Sequence, residues 1–493
     1  MRRIPAALAL VCLAGAALRF ATLDLQSLWY DEAVTARLLR MDLSGLLHAI
    51  GDSESSPPLY YLLAWLWTHA FGTGEVGMRS LSALLGTAAI ALAWMLGRRL
   101  GGDRAALASA ALIACNPLLW WFSQEARAYA LLIALAILGA LLWLRALRAP
   151  SNERALLAWG AVAALALATH YYALFLVAPQ ALWLLVRAPG IRERAAALAL
   201  PVLAGVALLP LALTQRTNDT AAFITDTPLR TRLAQVPKQF LVGYDAPAET
   251  PMTILTALVA LAGLAGLAAM IAGRIAAPTE ARSDAARLAA VSAAAIALLL
   301  AATVAGEDHL LTRNAIAVLP LAAVLAGAGL AALSHVAPRP AVAFGALACL
   351  LGLVAIAGVM RDPRKQRDDW RAAAAALGAD PGARLIVAPG TAPIPLGYYV
   401  PGLRPVPAAE APQVAEIDYV SLTVRAPGRL ATPPRPPQVP AAPPGFQIAG
   451  RSDGDSYTVV RLRATAPVPV PAGALVRGLD GGVPILLTTA PAP

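Results

Sequence analysis

The 493-residue chain has few charged side chains and few cysteines. Charged residues make up 14% of it, about half the share in a typical soluble domain, which excludes an ordinary soluble fold. Its three cysteines, Cys12, Cys115 and Cys349, all lie in apolar segments, so neither a disulfide framework nor a metal cluster is expected. A Gly-rich phosphate loop, zinc-ligand spacing and a Ser-His-Asp arrangement are also lacking in the sequence.

Long apolar runs are what the chain has instead, with 58% hydrophobic residues. Runs of roughly 17 to 24 residues recur until about Met360, which is the length that a helix needs to cross a bilayer. Hydropathy predicts about 11 transmembrane helices. The predicted spans are 4–22, 79–97, 105–121, 128–147, 155–170, 172–187, 196–214, 252–273, 287–305, 314–334 and 341–360. The apolar stretch after Met1-Arg2-Arg3 is interpreted as a retained first helix rather than a signal peptide.

The arginines that give the chain its net charge of +10 cluster in short loops between these runs. The loops at 98–104, 145–154, 187–194 and 274–287 all face the cytoplasm if the amino terminus does, as the positive-inside rule requires. That topology holds only if the apolar run Pro57 to Gly72 does not cross, so we predict an interfacial helix there. The unusual polar groups then share the outer face.

The composition changes after about Met360 to a polar, Pro- and Gly-rich sequence on the outer side. We predict strands at Ala383 to Pro389 and Ser456 to Arg463, and a helix at Asp369 to Leu377. Pro433 to Pro444 is interpreted as a proline-rich linker. The predicted organisation is a transmembrane catalytic domain at 1–360, a small extracytoplasmic α/β domain at 361–465 and a Pro/Ala-rich, poorly ordered tail at 466–493.

An acidic pair, Asp31-Glu32, follows the first apolar segment within Trp29-Tyr30-Asp31-Glu32-Ala33. Carboxylates at a membrane surface are costly to keep, so a functional role is favoured, although Asp31 could also cap a short helix that follows it. Two carboxylates in this place indicate chemistry on a lipid-borne substrate.

Three further polar groups lie at the outer ends of apolar runs: Glu125-Ala126-Arg127 with Tyr129, His170-Tyr171-Tyr172, and Arg313. An arginine guanidinium binds phosphate well through paired, charge-assisted hydrogen bonds. Structural alternatives remain for each group: an ion pair between Glu125 and Arg127, an aromatic belt for the tyrosines, and snorkelling for Arg313.

These motifs, in this order, resemble the polyprenyl-phosphate-sugar-dependent glycosyltransferases of the GT-C fold, of the family 39 type that includes protein mannosyltransferases and lipid A aminoarabinose transferases. The resemblance covers Leu28 to about Pro320. It rests on Trp29 to Ala33, Pro57-Pro58-Leu59-Tyr60-Tyr61, Arg79 to Leu84, Ser123 to Tyr129 and Thr312-Arg313-Asn314. It implies a GT-C bundle with interfacial helices in the first outer loop and a small C-terminal α/β domain. Many relatives have a His before the Pro-Pro pair, where this chain has Ser56, so no role of that His carries over.

The resemblance implies an integral membrane glycosyltransferase that moves a sugar from a polyprenyl-phosphate donor to an acceptor hydroxyl, with inversion, on the extracytoplasmic face of the cell membrane. Asp31 would be the base and Glu32 secondary. Arg127 and Arg313 would stabilise the phosphate leaving group, while Glu125, Tyr129, His170 and Tyr171 would line the donor site. The polar loop from Gln215 to Pro251, with Lys238, Gln239 and Tyr244, would cover it.

Two other classes stay open from the residues alone. A flippase or transporter for lipid-linked sugars would also have many helices, but it should have paired repeats and broken helices near the bilayer midplane. A membrane scaffold would not require Asp31-Glu32 and Glu125-Ala126-Arg127 to share a face. The acceptor is a lipid, glycan or protein, nucleic acid is not expected as a partner, and neither a cofactor nor a metal is expected.

Overall fold

A computed structural model describes residues 6–217, 224, 227–378, 384–407, 409–422, 442–475 and 485–489. It contains two compact units, one formed by Met1–Leu23 with Met41–Gly358 and the other by Asp24–Arg40 with Val359–Pro493. The helices are α1 (Ala6–Phe20), α2 (Tyr30–Leu39), α3 (Leu43–Ser53), α4 (Leu59–Phe71), α5 (Glu75–Cys115), α6 (Pro117–Phe122), α7 (Tyr129–Arg148), α8 (Glu153–Thr169), α9 (Leu174–Arg187), α10 (Ile191–Thr217), α11 (Leu229–Val242), α12 (Glu249–Ile271), α13 (Thr279–Val304), α14 (Leu319–Leu333), α15 (Pro338–Arg361), α16 (Trp370–Leu377), α17 (Pro393–Tyr399) and α18 (Ala472–Leu475).

The first unit is a bundle of apolar helices. Within the described part of the chain, six helices are long and apolar enough to cross a membrane: α5, α7, α10, α12, α13 and α15. Shorter apolar helices occupy Ala6–Phe20, Tyr171–Arg187 and Leu319–Leu333. The predicted polytopic helical fold is confirmed, and every predicted span has a helix at its position. The count of about 11 crossings stays a prediction.

Two predicted spans, 79–97 and 105–121, are differently bounded in the structure. Helix α5 runs through both, with a kink at Gly101 and Gly102, and Gly102 has a φ of 72° that few other residues adopt. The second span ends early because Asn116 begins a new helix. Its side chain accepts hydrogen bonds from the backbone N–H groups of Leu118 and Leu119, and Pro117 occupies the first helical position.

The polar stretch from Gln215 to Pro251 is not simply a loop, since it contains α11 (Leu229–Val242). The helix was missed because Pro237 interrupts its sequence pattern, yet Val236 and Phe240, four residues apart, pack into an apolar cluster around Leu299, Leu310 and Ala315. Similarly, α13 begins at Thr279 rather than near residue 287.

The predicted helix at Pro57 to Gly72 is present as α4. Its buried residues, Tyr60, Tyr61, Ala64 and Thr68, repeat at helical spacing and mark one packed face. The indole N–H of Trp67 donates a hydrogen bond to the Ser80 hydroxyl at 2.8 Å, which ties α4 to the start of α5. Its location at the membrane interface stays a prediction.

The second unit contains α2, α16, α17, α18 and a mixed sheet. Its described strands are β1 (Arg384–Ala388), β2 (Leu403–Pro405), β3 (Gln413–Leu422), β4 (Gln447–Asp453), β5 (Tyr457–Pro469) and β6 (Ile485–Thr489), in the order β2-β6-β1-β3-β5-β4. Strands β1 and β3 are parallel and the other pairs are antiparallel. This confirms the predicted small C-terminal α/β domain.

The stretch from Ala466 to Pro493, predicted as a poorly ordered tail, contributes β6 to this sheet between β1 and β2. Hydropathy missed the strand because Ile485–Thr489 is short and follows a Gly-rich sequence. Most of the predicted proline-rich linker, Pro433 to Pro444, lies outside the described residues. The domain boundaries stay predictions.

Candidate active site

The acidic pair lies in the first turn of α2. The helix begins after Trp29, which is its N-cap residue and offers no side-chain cap, so the capping role considered for Asp31 is wrong. Asp31 is partly exposed, whereas Glu32 is fully buried. Two carboxylates in the first turn interact favourably with the positive end of the helix dipole. One acid therefore stays accessible while the next is packed into the protein.

Arg127 lies in the loop between α6 and α7 and forms a buried ion pair. Its Nη1 donates to Oε1 of Glu54 at 2.7 Å, and both side chains are at most 7% exposed. The guanidinium carbon of Arg127 is 5.7 Å from the centroid of the Tyr61 ring. Glu54 orients the arginine and also balances part of its charge, because a buried charge is costly unless it is paired.

Sequence reasoning missed Glu54. It stands just before Ser55-Ser56-Pro57-Pro58, and a carboxylate next to that motif was the available signal. Gln215 of α10 holds the same loop, since its Nε2 donates to the backbone oxygens of Ile50 and Ser56 at 3.0 and 3.2 Å. The Tyr171 hydroxyl in turn donates to Oε1 of Gln215 at 2.8 Å. Tyr171 therefore supports the loop that carries Glu54.

His170 follows the last residue of α8 and lies between that helix and the turn leading to α9. Its ring centroid is 5.7 Å from that of Tyr129 and 5.3 Å from that of Tyr172. The Nδ1 atom accepts a hydrogen bond from the Tyr172 backbone N–H at 3.3 Å. Burial, together with the positive charges of Arg313 and Arg127, lowers the pKa of His170 to about 3. The imidazole is therefore neutral at physiological pH.

Arg313 lies in the irregular stretch between α13 and α14. Its charge and that of Arg127 both lower the pKa of His170, so both predicted phosphate-binding arginines lie within electrostatic range of that ring. The next residue anchors this stretch, because the Asn314 side chain donates to the backbone oxygen of His309 at 2.7 Å. The His309 ring also packs against Tyr172, with centroids 5.8 Å apart.

Glu125 and its neighbours form a buried turn before α7. Glu125 is 3% exposed. Ser123 and Gln124 bind α1, since Ser123 accepts a hydrogen bond from Arg19 Nε at 3.1 Å and Gln124 Nε2 donates to the Arg19 backbone oxygen at 2.6 Å. The first half of the Ser123 to Tyr129 motif therefore fixes the turn, and the second half supplies Arg127 and Tyr129 to the cluster.

The predicted cover over the site is held by its own contacts. Lys238 Nζ donates to the Tyr244 backbone oxygen at 3.0 Å, and the Tyr244 ring packs 5.4 Å from Trp121. At the other end of α11, Arg232 makes a two-pronged ion pair with Asp308 at 2.6 and 2.5 Å. The Arg232 guanidinium lowers the pKa of Asp308, so this carboxyl is ionised.

An apolar cavity of about 270 Å³ lies between α5, α11, α12, α14 and α15. It begins at Asn116 and Pro117 and continues along Val259, Leu319 and Gly352. Apart from Asn116 and Thr256 its lining is apolar, with Cys115 beside them, so it suits a hydrocarbon chain rather than a polar ligand.

Known proteins resemble this chain in sequence and in fold. The family model described as dolichyl-phosphate-mannose-protein mannosyltransferase matches residues 55–214, which include Arg127, Tyr129 and His170. The crystal structure of ArnT from Cupriavidus metallidurans in the apo state matches at 15% identity and a TM-score of 0.56, over 92% of this chain and 97% of that chain. The structure of the same protein bound to undecaprenyl phosphate matches at 15% identity and a TM-score of 0.53, over the same shares.

The chain has a GT-C fold like that of ArnT. The resemblance stated from the sequence motifs is thereby confirmed. No curated protein matches the sequence. The solved structures show the fold of the chain, and the family model matches about a third of its residues. The roles of the individual residues stay predictions.

Among the residues that the structure describes, no group of three or more His, Cys, Asp or Glu side chains could hold a metal ion. The predicted metal independence stays a prediction that a chelator can test.

Proposed function

We propose that this chain transfers a sugar from a polyprenyl-phosphate donor to an acceptor hydroxyl, with inversion at the anomeric carbon, on the extracytoplasmic face of the cell membrane. The acceptor oxygen forms a bond to the anomeric carbon, and the bond from that carbon to the phosphate oxygen breaks. The electron pair stays on the phosphate, the hydroxyl proton passes to Asp31, and polyprenyl phosphate leaves.

The observation that carries this proposal is the cluster around His170. The charges of Arg127 and Arg313 both act on one imidazole, which stays neutral beside them. A leaving phosphate gains negative charge in the transition state, and fixed positive groups stabilise that charge most in a site that excludes water. Glu54 holds Arg127 in place through the 2.7 Å ion pair, so little reorganisation is needed during the reaction.

The aromatic rings beside these arginines fit the sugar. The His170 ring packs against both Tyr129 and Tyr172, with ring centroids 5.7 and 5.3 Å apart. Apolar ring faces exclude water, while a neutral imidazole can still donate or accept a hydrogen bond with a sugar hydroxyl. We assign Glu125 and Tyr129 to the sugar and Tyr171 to support of the Glu54 loop.

Asp31 supplies the base in this proposal, because it is the partly exposed member of the acidic pair. Buried Glu32 cannot reach an incoming acceptor without rearrangement, and its role is secondary. A carboxylate that accepts the hydroxyl proton as the new bond forms typically contributes about 10²–10⁴-fold to the rate.

The lipid part of the donor fits the apolar cavity that begins at Asn116 and Pro117. ArnT, which shares the fold, has been crystallised with undecaprenyl phosphate. A branched polyprenyl chain needs an apolar passage and no hydrogen-bonding partners, which the lining from Val259 to Gly352 offers.

The test is a transfer assay on purified protein in nanodiscs, with a panel of radiolabelled undecaprenyl-phosphate sugars and membrane extract as the acceptor source. We expect label to move from one donor to an acceptor, and Asp31→Asn to lower this transfer at least about 100-fold while donor binding persists. Asp52→Asn, an exposed carboxylate on α3, is the matched control and should keep wild-type turnover.

Transfer in the presence of EDTA is expected to equal transfer without it. Wild-type turnover by Asp31→Asn would overturn the role of Asp31. Donor binding without any transfer by the wild type would favour the flippase alternative instead.

A further inference from the structure

The segment ahead of α2 is fastened to the C-terminal part of its unit. Arg371 Nη2 donates to the backbone oxygens of Asp24 and Gln26 at 3.0 and 3.2 Å. The Arg367 backbone N–H donates to Oε1 of Gln26 at 2.9 Å. Counting Ser27 and Leu28, whose hydrogen bonds are described next, four of the five residues from Asp24 to Leu28 make such bonds.

Ser27 and Leu28 make the tightest of these contacts. The Ser27 hydroxyl donates to the Asp368 backbone oxygen at 2.7 Å and accepts from the Trp370 backbone N–H at 3.0 Å. The Leu28 backbone N–H donates to the Tyr399 hydroxyl at 2.8 Å. Leu28 is two residues before Tyr30, the first residue of α2, so these bonds fix where the helix begins.

The C-terminal end of α2 contacts Tyr398, the residue before Tyr399. Arg40 is the C-cap residue of α2, and its guanidinium carbon lies 4.5 Å from the centroid of the Tyr398 ring. Such cation–π contacts attract a guanidinium to the face of an aromatic ring. Tyr398 and Tyr399, the last two residues of α17, therefore contact both ends of the helix that carries Asp31.

Helix α17 is itself rigidly placed. Leu396 of α17 is fully buried in an apolar cluster with Trp370 of α16 and with Ile386 of the sheet. Tyr399 packs against the same cluster. Tyr399 therefore adjoins the core of the domain, which lets it act as a fixed support.

We propose that the C-terminal domain positions the catalytic base, with Tyr399 and Tyr398 as positioning residues that set the start and the end of α2. This inference rests on the proposed function, in which Asp31 is the base. A general base must lie within hydrogen-bond reach of the acceptor hydroxyl, and a displacement of about 1 Å can cost 10²-fold in rate.

The decisive variant is Tyr399→Phe, which removes only the hydroxyl that accepts from Leu28. In the transfer assay it should lower kcat about tenfold with the KM for the donor unchanged. Tyr419→Phe is the matched control, since its buried hydroxyl lies in the same domain and makes no hydrogen bond in the described structure. Hydrogen exchange of residues 24–39 should rise in Tyr399→Phe and not in Tyr419→Phe.

Double variants separate this proposal from the proposed function. If Tyr399 acts through Asp31, adding Tyr399→Phe to Asp31→Asn should leave the residual rate unchanged. One outcome would overturn the positioning role alone. In it, the single variant Asp31→Asn is inactive, while Tyr399→Phe has the same kcat and the same hydrogen exchange as Tyr419→Phe. A fully active Asp31→Asn would overturn the base and, with it, this inference.

A second, independent feature is a basic cavity in the helical unit. It has a volume of about 440 Å³ and lies beside the Gly101–Gly102 kink. Its polar wall includes Arg98, Arg99, Arg148, His335 and one acid, Glu280, and its other wall is formed by small apolar residues such as Ala328 and Ala332. The surrounding loops are the arginine-rich ones expected at the cytoplasmic face.

The arginines of this cavity are held in place by one buried carboxylate. Arg99 Nε and Arg148 Nη2 both donate to Oδ2 of Asp284, at 2.8 and 2.6 Å, and Asp284 is fully buried. Arg287 contacts the other oxygen of Asp284 at 3.4 Å. Glu280, which also lines the cavity, pairs with Arg148 at 2.6 Å, and Asp103 pairs with Arg98 at 3.0 Å. Four guanidinium groups thus face three carboxylates, which leaves a small positive excess next to an apolar wall.

We infer that this cavity binds a phosphate group, most simply the headgroup of an anionic phospholipid, whose acyl chain would lie along the apolar wall. The probes are phosphatidylglycerol, phosphatidylcholine and inorganic phosphate, added to delipidated full-length protein and followed by native mass spectrometry. Wild type should bind phosphatidylglycerol several-fold better than phosphatidylcholine, and Arg98→Gln and His335→Gln should lose that preference.

Arg194→Gln, an exposed arginine at the start of α10, is the control and should keep the preference for phosphatidylglycerol. Inorganic phosphate that competes with the lipid would identify a free-phosphate site rather than a lipid site. Equal binding of the two lipids by wild type, or an unchanged preference in both variants, would overturn the inference.

Discussion

At the level of single residues, Glu54 and Arg127 form the most tightly defined polar contact of the candidate site. Both are buried and their charged atoms lie 2.7 Å apart. Removing one member of a buried pair leaves the other charge poorly compensated, which typically costs about 3–5 kcal/mol. We therefore expect Glu54→Gln and Arg127→Gln each to lower the thermal unfolding temperature in detergent, and the double variant to lose less than their sum.

The exposed pair of Arg216 and Glu307, at 2.6 Å, is the control for that cycle. Solvent screens such a pair, so its removal should cost less than about 1 kcal/mol. Additive losses at Glu54 and Arg127 would contradict the coupling. A donor KM that rises in Arg127→Gln and not in Arg216→Gln would further assign the guanidinium to the donor.

His170 predicts a pH dependence of stability. Its pKa is lowered to about 3 in the folded protein, so the unfolded chain takes up a proton first as the pH falls below about 6.5. The stabilising contribution is complete above that pH and is lost progressively towards pH 3. Between pH 7.5 and 5, the unfolding temperature should fall in wild type and fall less steeply in His170→Gln.

His48→Gln is the matched control, because His48 is 88% exposed on α3. It should retain the slope of wild type. Equal slopes in wild type and His170→Gln would show that the imidazole is not held neutral by its surroundings.

Residue types and spacing singled out Arg127, Tyr129, His170 and Arg313. The structure packs Tyr129 against His170 and places both arginines within electrostatic range of that ring, while their roles stay predictions. The same patterns did not predict Glu54, because its partner is 73 residues away along the chain and only tertiary packing pairs them. Residue types and spacing also could not show that Tyr171 and Tyr172 make different contacts. One of these neighbours binds Gln215 and the other packs on His170, a difference set by the turn that follows α8.

At the level of elements, hydropathy located the helices well and their ends less well. A long apolar run predicts a helix whatever it packs against. The kink at Gly101–Gly102 and the break at Asn116 depend on local backbone geometry, and α11 depends on apolar residues that pack against other parts of the chain. Such features follow from tertiary contacts, which a hydropathy window does not contain.

The contact between α12 and α14 gives a prediction at this scale. Gly263 and Gly329 bring the two backbones into direct contact, and a Cβ atom added at Gly329 would overlap the Gly263 carbonyl oxygen. Small residues allow this close approach of helices in a membrane. We expect Gly329→Ala to destabilise the protein by about 1–3 kcal/mol, measured by thermal unfolding in detergent.

Gly345→Ala on α15 is the control, since nothing lies within 4 Å of an added Cβ there. It should be neutral or slightly stabilising, because alanine favours a helix more than glycine does. A Gly329→Ala protein as stable as Gly345→Ala would mean that the two helices separate without cost.

At the level of the whole molecule, the sequence predicted a helical membrane part and a small C-terminal α/β domain. It did not predict that Asp24–Arg40, which carries the acidic pair, belongs to the same compact unit as the C-terminal domain. Segments distant in the chain join through hydrogen bonds such as Leu28 N–H to the Tyr399 hydroxyl, and no periodicity marks such bonds in advance.

Membrane orientation is the whole-molecule property on which the proposed reaction depends. The positive-inside rule places the loop at 98–104 in the cytoplasm and the segment between α1 and α5 outside. Asp52 and Asp103 have side chains 72% and 75% exposed and so are suitable labelling positions, one for each expected side. Asp52→Cys and Asp103→Cys would be made in a variant whose Cys12, Cys115 and Cys349 are replaced by alanine.

A membrane-impermeant maleimide should label Asp52→Cys in intact cells and Asp103→Cys only after permeabilisation. The alanine background without an added cysteine measures unspecific labelling. The reverse pattern would place the arginine-rich loops outside and the candidate donor site at the cytoplasmic surface, and a donor carried on the outer leaflet could not then be used. Labelling of both positions in intact cells would place both outside. The chain would then cross the membrane twice between them, once in the first half of α5 and once in α4.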